Sequence, residues 1–360
     1  MILKNATLLC GEDLEVVEGY VVIEEGRIKE IGEGGCPHKE ARDLKGGIVF
    51  PAFTNAHVHL GDAVAQDLRV YESLERRVGP KGVKFRVLEE RKKELPQGIR
   101  AALREMLAGG ATAFCDFREG GIAGVELLRC VLNKTQEAVI LGRPNGDGVE
   151  ELLEVCDGIG ISGVADYPEE ELRNIARAVR RKDKLLGMHV AEVEDDVEKA
   201  LKLKPSFVVH LTNAGEDSLE LVREAGVPVV LCPRANAMLG VGVPRIKELM
   251  ESNLVALGTD NVMINSLSMF REMEFAFKAA RGLSRDYAFD AAKVLRAATI
   301  NGRKILGLGS NALEEGREAN LIILGRRKYL YDPVVAIIHR YEASDIRGIV
   351  KGNRFLSPRD

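Results

Sequence analysis

The chain has 360 residues, 46% of them hydrophobic, enough to bury a large core and too many for a small stapled domain. Lys+Arg total 51 against 55 Asp+Glu, a formal charge of −4 with no basic run, which argues against nucleic acid as the main partner. Apolar stretches such as Val227-Pro228-Val229-Val230-Leu231 fall far short of the roughly 20 residues that span a bilayer, so no membrane span is expected. Met1-Ile2-Leu3-Lys4-Asn5 does not read as a secretory signal, and a cytoplasmic location is the expectation. Six cysteines stand far apart with no Cys-x-x-Cys pair, as reduced core thiols do. Three glutamines, no tryptophan and 29% charged residues resemble a heat-adapted composition.

In chain order, Val21-Val22-Ile23 and Ile28-Lys29-Glu30-Ile31 flank Glu24-Glu25-Gly26-Arg27, where glycine supplies the positive φ of a hairpin loop. At the other end, Ala319 to Leu324 predicts a strand, and Ile346 to Asn353 a strand, a turn and a strand. The expectation is a small discontinuous β-sandwich domain built from both termini, residues 1–46 and 312–360. Between them, over residues 47–311, short β-rich runs alternate with helical patterns, the signal of parallel strands joined by crossover helices.

Eight strands are predicted: Gly47 to His59, Ala111 to Phe117, Ala138 to Asn145, Gly158 to Val164, Leu185 to Ala191, Ser206 to Leu211, Val227 to Cys232 and Val255 to Thr259. Pro168 through Arg181 is a predicted helix with acids in its first turn and arginines in its last. The number and spacing match an α/β fold of the (β/α)8 TIM-type barrel, with an open doubly wound sheet as the alternative. The charge-rich stretch from Glu75 to Glu94 reads as a solvated helix face or a loop after the first strand. Gly158 to Gly163 formally satisfies Gly-x-Gly-x-x-Gly, but these glycines sit within a predicted strand and not at the opening of a helix, so a dinucleotide site is not expected.

Asn55-Ala56-His57-Val58-His59 places two histidines two apart at a strand end, where the period of two points both imidazoles to one face. About 0.1 such pairs arise by chance in a chain with this few histidines, so the pair alone decides little. His189, His210 and Asp260 close the fifth, sixth and eighth predicted strands, and residues at the carboxyl ends of barrel strands converge on one face. Three imidazole nitrogens and a carboxylate oxygen suit one divalent metal, zinc first, with iron or manganese able to occupy the same set. A zinc-bound water has a pKa of roughly 7 and supplies hydroxide at neutral pH. Glu192, three residues after His189, lies where the strand gives way to a loop that can swing it over the metal as a proton shuttle; an exposed loop acid is the plainer reading. His38 and His339 fall in the terminal β segments and read as structural or exposed.

The ordered set Asn-Ala-His57-Val-His59, His189-Val-Ala-Glu192, His210 and Gly258-Thr-Asp260-Asn261 resembles the amidohydrolase superfamily. It is most similar to the branch of single-metal aminohydrolases that holds cytosine, guanine and S-adenosylhomocysteine/methylthioadenosine deaminases and chlorohydrolase-type enzymes. The resemblance covers nearly the whole chain, including Cys232-Pro233-Arg234-Ala235-Asn236 after strand seven. It implies that His57, His59, His189 and Asp260 bind the metal, that Glu192 and His210 handle protons and orient the hydroxide, and that Asp260 also accepts a proton. The fourth strand offers no lysine or other bridging ligand, so one metal is expected. His189-Val-Ala-Glu192 departs from a His-x-Asp-Glu pattern, which leans away from cytosine.

The activity implied is hydrolytic deamination of a purine-, pyrimidine- or pterin-like small molecule with release of ammonia. The alternatives are hydrolysis of a cyclic amide or ureide, dehalogenation, and a zinc-binding scaffold without turnover. Arg143 and Arg234, after strands three and seven, are candidates to line the substrate pocket, with salt bridging as the competing role. Oligomeric state is open; barrels of this family commonly form homo-oligomers.

Overall fold

The computed structural model describes residues 1–73, 76–77 and 82–357; Glu75, where the charge-rich stretch begins, lies outside them. Four strands open the chain: β1 (Ile2–Cys10), β2 (Glu15–Glu24), β3 (Arg27–Glu33) and β4 (Arg42–Pro51). The β2–β3 turn has Glu25 at φ 49° and Gly26 at φ 78°, two left-handed residues in the pattern of a tight hairpin.

The run from Gly47 to His59, predicted as one barrel strand, is two. β4 pairs with β1 and with β14 (Asn320–Leu324), whereas β5 (Phe53–His59) belongs to the central sheet. The changeover falls between neighbouring amides, Ala52 N–H donating to Asn320 O at 2.9 Å and Phe53 N–H to Gly110 O at 3.1 Å. Pro51, which has no N–H to give to a ladder, sits just before it. An unbroken apolar pattern concealed this switch of sheets.

The central sheet continues with β6 (Ala111–Arg118), β7 (Glu137–Gly142), β8 (Gly158–Ile161), β9 (Leu185–Val190), β10 (Phe207–His210), β11 (Val229–Leu231), β12 (Val255–Leu257) and β13 (Asp260–Asn261). Every neighbouring pair from β5 to β12 is parallel, as the strand-and-helix alternation predicts. β12 and β13 are two halves of the eighth strand: the first pairs with β11, the second with β5 in parallel, and only Gly258 and Thr259 lie between them. The sheet therefore returns to its first strand.

Asn55 clamps this return, its amide Nδ2 donating to Thr259 Oγ1 at 2.7 Å and its Oδ1 accepting from Thr259 N–H at 2.9 Å. Gly258 is required by close approach, since a Cβ there would lie 2.7–2.8 Å from His57 N, Cβ and O. Gly258→Ala is expected to lower stability by about 2 kcal/mol or more, because neither backbone can give way; a shift of the urea midpoint at unchanged m-value checks this.

Inside the barrel, the glycine run of β8 has a packing purpose. A Cβ on Gly160 or on Gly187 of β9 would lie 2.6 Å from the Phe117 ring, so both glycines leave space for that side chain. Phe117 in turn packs edge-on against His57 and His189, with ring centroids 4.4 and 5.0 Å apart.

β14, β15 (Ile346–Lys351) and β16 (Arg354–Leu356) join the first four strands in one seven-stranded sheet, ordered β16-β15-β14-β4-β1-β2-β3. The sheet curls until the turns at Gly26 and Gly352 meet, and Leu8, Val21, Ile28, Val49, Leu321 and Val350 share the core it encloses. The two terminal strand patterns thus pair into one sheet with its own core, as strands from opposite ends of a chain can. Among the described residues, no helix is long and apolar enough to cross a membrane.

Candidate metal centre and active site

His57, His59, His189 and Asp260 come together at the carboxyl ends of β5, β9 and the eighth strand, all buried, each offering a ligand atom within 4.8 Å of the others. Nε2 of His57 and of His59 lie 3.2 and 3.4 Å from Asp260 Oδ1, and Nε2 of His59 lies 3.3 Å from Nε2 of His189. His189 Nδ1 is 2.7 Å from the carbonyl of Ile161. A carbonyl only accepts, so Nδ1 carries the proton and Nε2 aims its lone pair at the centre.

Burial drives all three imidazoles below their ordinary pKa; for His59 and His189 the neighbouring imidazoles add to the effect. They are thus neutral, the form that ligates. Burial pushes the Asp260 carboxyl up, but His57, its Nε2 3.2 Å from Oδ1, and the surrounding imidazoles outweigh it and hold the group below the usual carboxylate range. His57 Nε2 is buried without a hydrogen bond among the described residues. Three neutral imidazoles and an ionised carboxylate at these separations are a fitting donor set for one divalent cation.

The backbone that delivers these groups is strained. His210 has φ 83°, Leu211 51°, Asp260 58° and Ala191 49°, left-handed conformations rare for residues with a Cβ. At Ala191 the strand bends into the loop, its N–H donating to Asp196 Oδ1 at 2.8 Å, while Asn213 donates to the carbonyl of Glu192 at 2.6 Å. This turn brings Glu192 back toward the centre, with Oε2 3.8 Å from His210 Nε2 and within the group formed with Asp260. Burial raises the Glu192 carboxyl above its ordinary range.

Arg143, just past β7, pairs with Glu119 at 2.6 Å, and its charge further lowers His57, His59 and His189. Arg234 is committed elsewhere: Nη1 lies 3.4 Å from the fully buried Glu272, and the guanidinium also reaches Ser266.

The reading of residues 75–94 as a solvated face or loop needs correction at Lys84. This lysine is 2% exposed and bridges Asp62 at 3.0 Å and Glu119 at 2.9 Å. Its partners stand 22 and 35 positions upstream and downstream, so no local charge pattern could locate them. Burial pushes the Glu119 carboxyl up, but Lys84 and Arg143 outweigh it and hold the group at about 2. Lys84→Met leaves the buried Asp62 carboxylate without its cation and Glu119 with Arg143 alone, and is expected to cost about 3 kcal/mol at neutral pH.

Because the folded-state value of Glu119 is depressed from 4.5, the stability it lends is complete above 4.5 and is lost as pH falls through about 2. The difference between wild type and variant is therefore expected to shrink across that acid window, which denaturant titrations at several pH values measure.

Sequence reasoning missed Phe117, which floors the centre, and Asn236, whose Nδ2 lies 3.0 Å from His210 Nδ1. Asn236 stood inside a motif already noted, Cys232 to Asn236, but nothing in the chain tied it to a histidine 26 positions away.

The chain is similar to several known proteins. A protein of Methanothermobacter thermautotrophicus, provisionally named an aminohydrolase, is 38% identical over 374 residues, covering 96% of each chain. A 5-methylthioadenosine/S-adenosylhomocysteine deaminase of Pyrococcus abyssi is 25% identical over 401 residues, covering 99% of this chain and 93% of that one. The crystal structure of an adenosine deaminase from Xanthomonas campestris with bound zinc superposes with TM-score 0.84 at 19% identity, over 99% of this chain and 93% of that one. Residues 48–353 match the model of the amidohydrolase family, the span that carries every histidine and acid of the buried centre, and the chain belongs to that family.

Proposed function

We propose that this chain catalyses the hydrolytic deamination of an aminated heterocycle, purine-, pyrimidine- or pterin-like, with one divalent cation held by His57, His59, His189 and Asp260, zinc in preference to iron or manganese. The observation that carries the reading is the convergence of these four with Glu192 and His210 at one buried centre, two groups that a purely structural metal site would not need. The family and the deaminases among its relatives support it. When bound, such an ion lowers the pKa of a water to about 7 and so makes a nucleophile available at neutral pH.

The chain's own groups do the rest. His210 presents Nε2 to the oxygen that attacks the amine-bearing ring carbon, where negative charge develops. Glu192, raised by burial toward the working pH, takes one proton of the attacking water at Oε2 and passes it to the ring nitrogen, while the second, accepted by Asp260, goes to the departing amine. Asp260, held ionised, serves as the second acceptor. Arg143 lies close enough to the centre for its charge to lower the imidazoles, while Arg234 holds the helix that follows β11 against Glu272. Burial of the whole group keeps bulk water from competing for these protons.

A screen of metal-loaded protein against purines, pyrimidines, pterins and their nucleosides, read by ammonia release, tests the proposal. Release of ammonia from one class with a kcat/KM above about 10⁴ M⁻¹s⁻¹ is expected. Ring opening of a cyclic amide or release of halide, with no ammonia from any aminated ring, would overturn it.

A further inference from the structure

Two histidines of the centre are held by their Nδ1 atoms, and the two partners are chemically opposite. At His189 the partner is the Ile161 carbonyl, an acceptor, which leaves Nε2 with a lone pair. At His210 it is the side-chain amide of Asn236, with Nδ2 3.0 Å from Nδ1. An amide N–H only donates, so His210 Nδ1 must carry the lone pair, and the ring proton sits on Nε2. That Nε2 is buried, has no hydrogen bond among the described residues, and faces Glu192 Oε2 at 3.8 Å.

From this contrast we infer that Asn236 is a positioning residue that fixes the His210 proton on Nε2, making this imidazole a hydrogen-bond donor to the reacting oxygen and leaving proton acceptance to the two carboxylates. The inference deepens the deaminase reading above, because the oxygen it addresses is the one His210 is placed against there.

The surroundings hold the backbone of Asn236 in place, while its side-chain Oδ1 is buried without a hydrogen bond among the described residues. It is 0% exposed, in the helix Pro233–Leu239 that follows β11. Its N–H donates to the Cys232 carbonyl at 3.1 Å, and its carbonyl accepts from Val241 N–H at 3.2 Å. The start of the helix is pinned in turn, Arg234 N–H donating to Glu272 Oε1 at 3.1 Å. On the other side, His210 is fixed by its left-handed backbone at φ 83°. Neither partner can slide out of the contact without unwinding a strand end or a helix.

The test is the tautomer itself, read in the zinc-loaded, ¹⁵N-histidine-labelled protein by two-bond proton–nitrogen spectra, with the His210 signals assigned by their loss in His210→Gln. The expected spectrum has Nε2 protonated and Nδ1 bare at His210, and the reverse at His189. A protonated Nδ1 at His210 would overturn the inference. This measurement needs no substrate, so it stands or falls separately from the deaminase reading.

Kinetics supplies a second arm. Asn236→Ala removes the bias on the ring, whereas Asn236→Asp, nearly isosteric, imposes the wrong proton position by accepting from Nδ1. Asn236→Asp is expected to lower kcat about 10²-fold, and more than Asn236→Ala does, with KM changed less than about threefold. A merely structural asparagine predicts the opposite order, since the isosteric variant would be the milder one, and that order would also overturn the inference. Should Asn236→Asp fail to fold, the wild-type spectrum still decides.

Discussion

Glu192→Gln is expected to lower kcat by about 10³-fold or more, within the range that a positioned acid–base group contributes, while metal content and melting temperature stay at wild-type values. The amide keeps the size and loop contacts of the side chain, because the loop is held through the Glu192 carbonyl by Asn213 and through Ala191 by Asp196, and not through the carboxyl. What it loses is the ability to take a proton and pass it on. KM should move little, since the carboxylate acts on the transferred proton more than on the bound ring. Stopped assays with the substrate found by the ammonia screen, together with elemental analysis of the variant, check both halves. Wild-type turnover in a metal-replete Glu192→Gln protein would remove the shuttle from the account.

Asp260→Ala is expected to have the larger effect, taking activity below detection and metal content below about one tenth of an equivalent. It deletes the proposed ligand and second proton acceptor, the only carboxylate in the four-residue group. Its Oδ1 lies within 3.4 Å of two imidazole nitrogens, so its removal leaves His57 and His59 without their common anionic neighbour. Asp260→Asn keeps the shape and one oxygen, and should retain more metal than the alanine variant while remaining severely slowed. Equal metal retention in all three proteins would show that Asp260 is not a ligand.

Much of this centre was legible before any coordinates. His57 and His59 were visible because a strand repeats every two residues, and His189, His210 and Asp260 because each ends an apolar run, which in a parallel barrel puts them on one face. Seven of the eight predicted strands could be placed within about three residues for the same reason. Other features turned on contacts that no local pattern encodes. The break between β4 and β5 depends on which sheet accepts each amide on either side of Ala52. Lys84 looks like one charge among many until Asp62 and Glu119 close round it. The glycines of β8 resembled a phosphate loop in spelling alone; Phe117, 43 positions before Gly160, explains one of them. The tautomer of His210 likewise needs Asn236, a residue whose type suits almost any surface turn.

The most direct test of the whole account is metal analysis combined with anomalous diffraction on crystals of protein purified without chelator. One divalent ion per chain, with ligand distances of about 2.0–2.2 Å to His57, His59, His189 and Asp260, is the predicted result, accompanied by loss of ammonia release on stripping and its return on adding zinc. An ion bound elsewhere, or stripped protein that still turns over at the full rate, would contradict it.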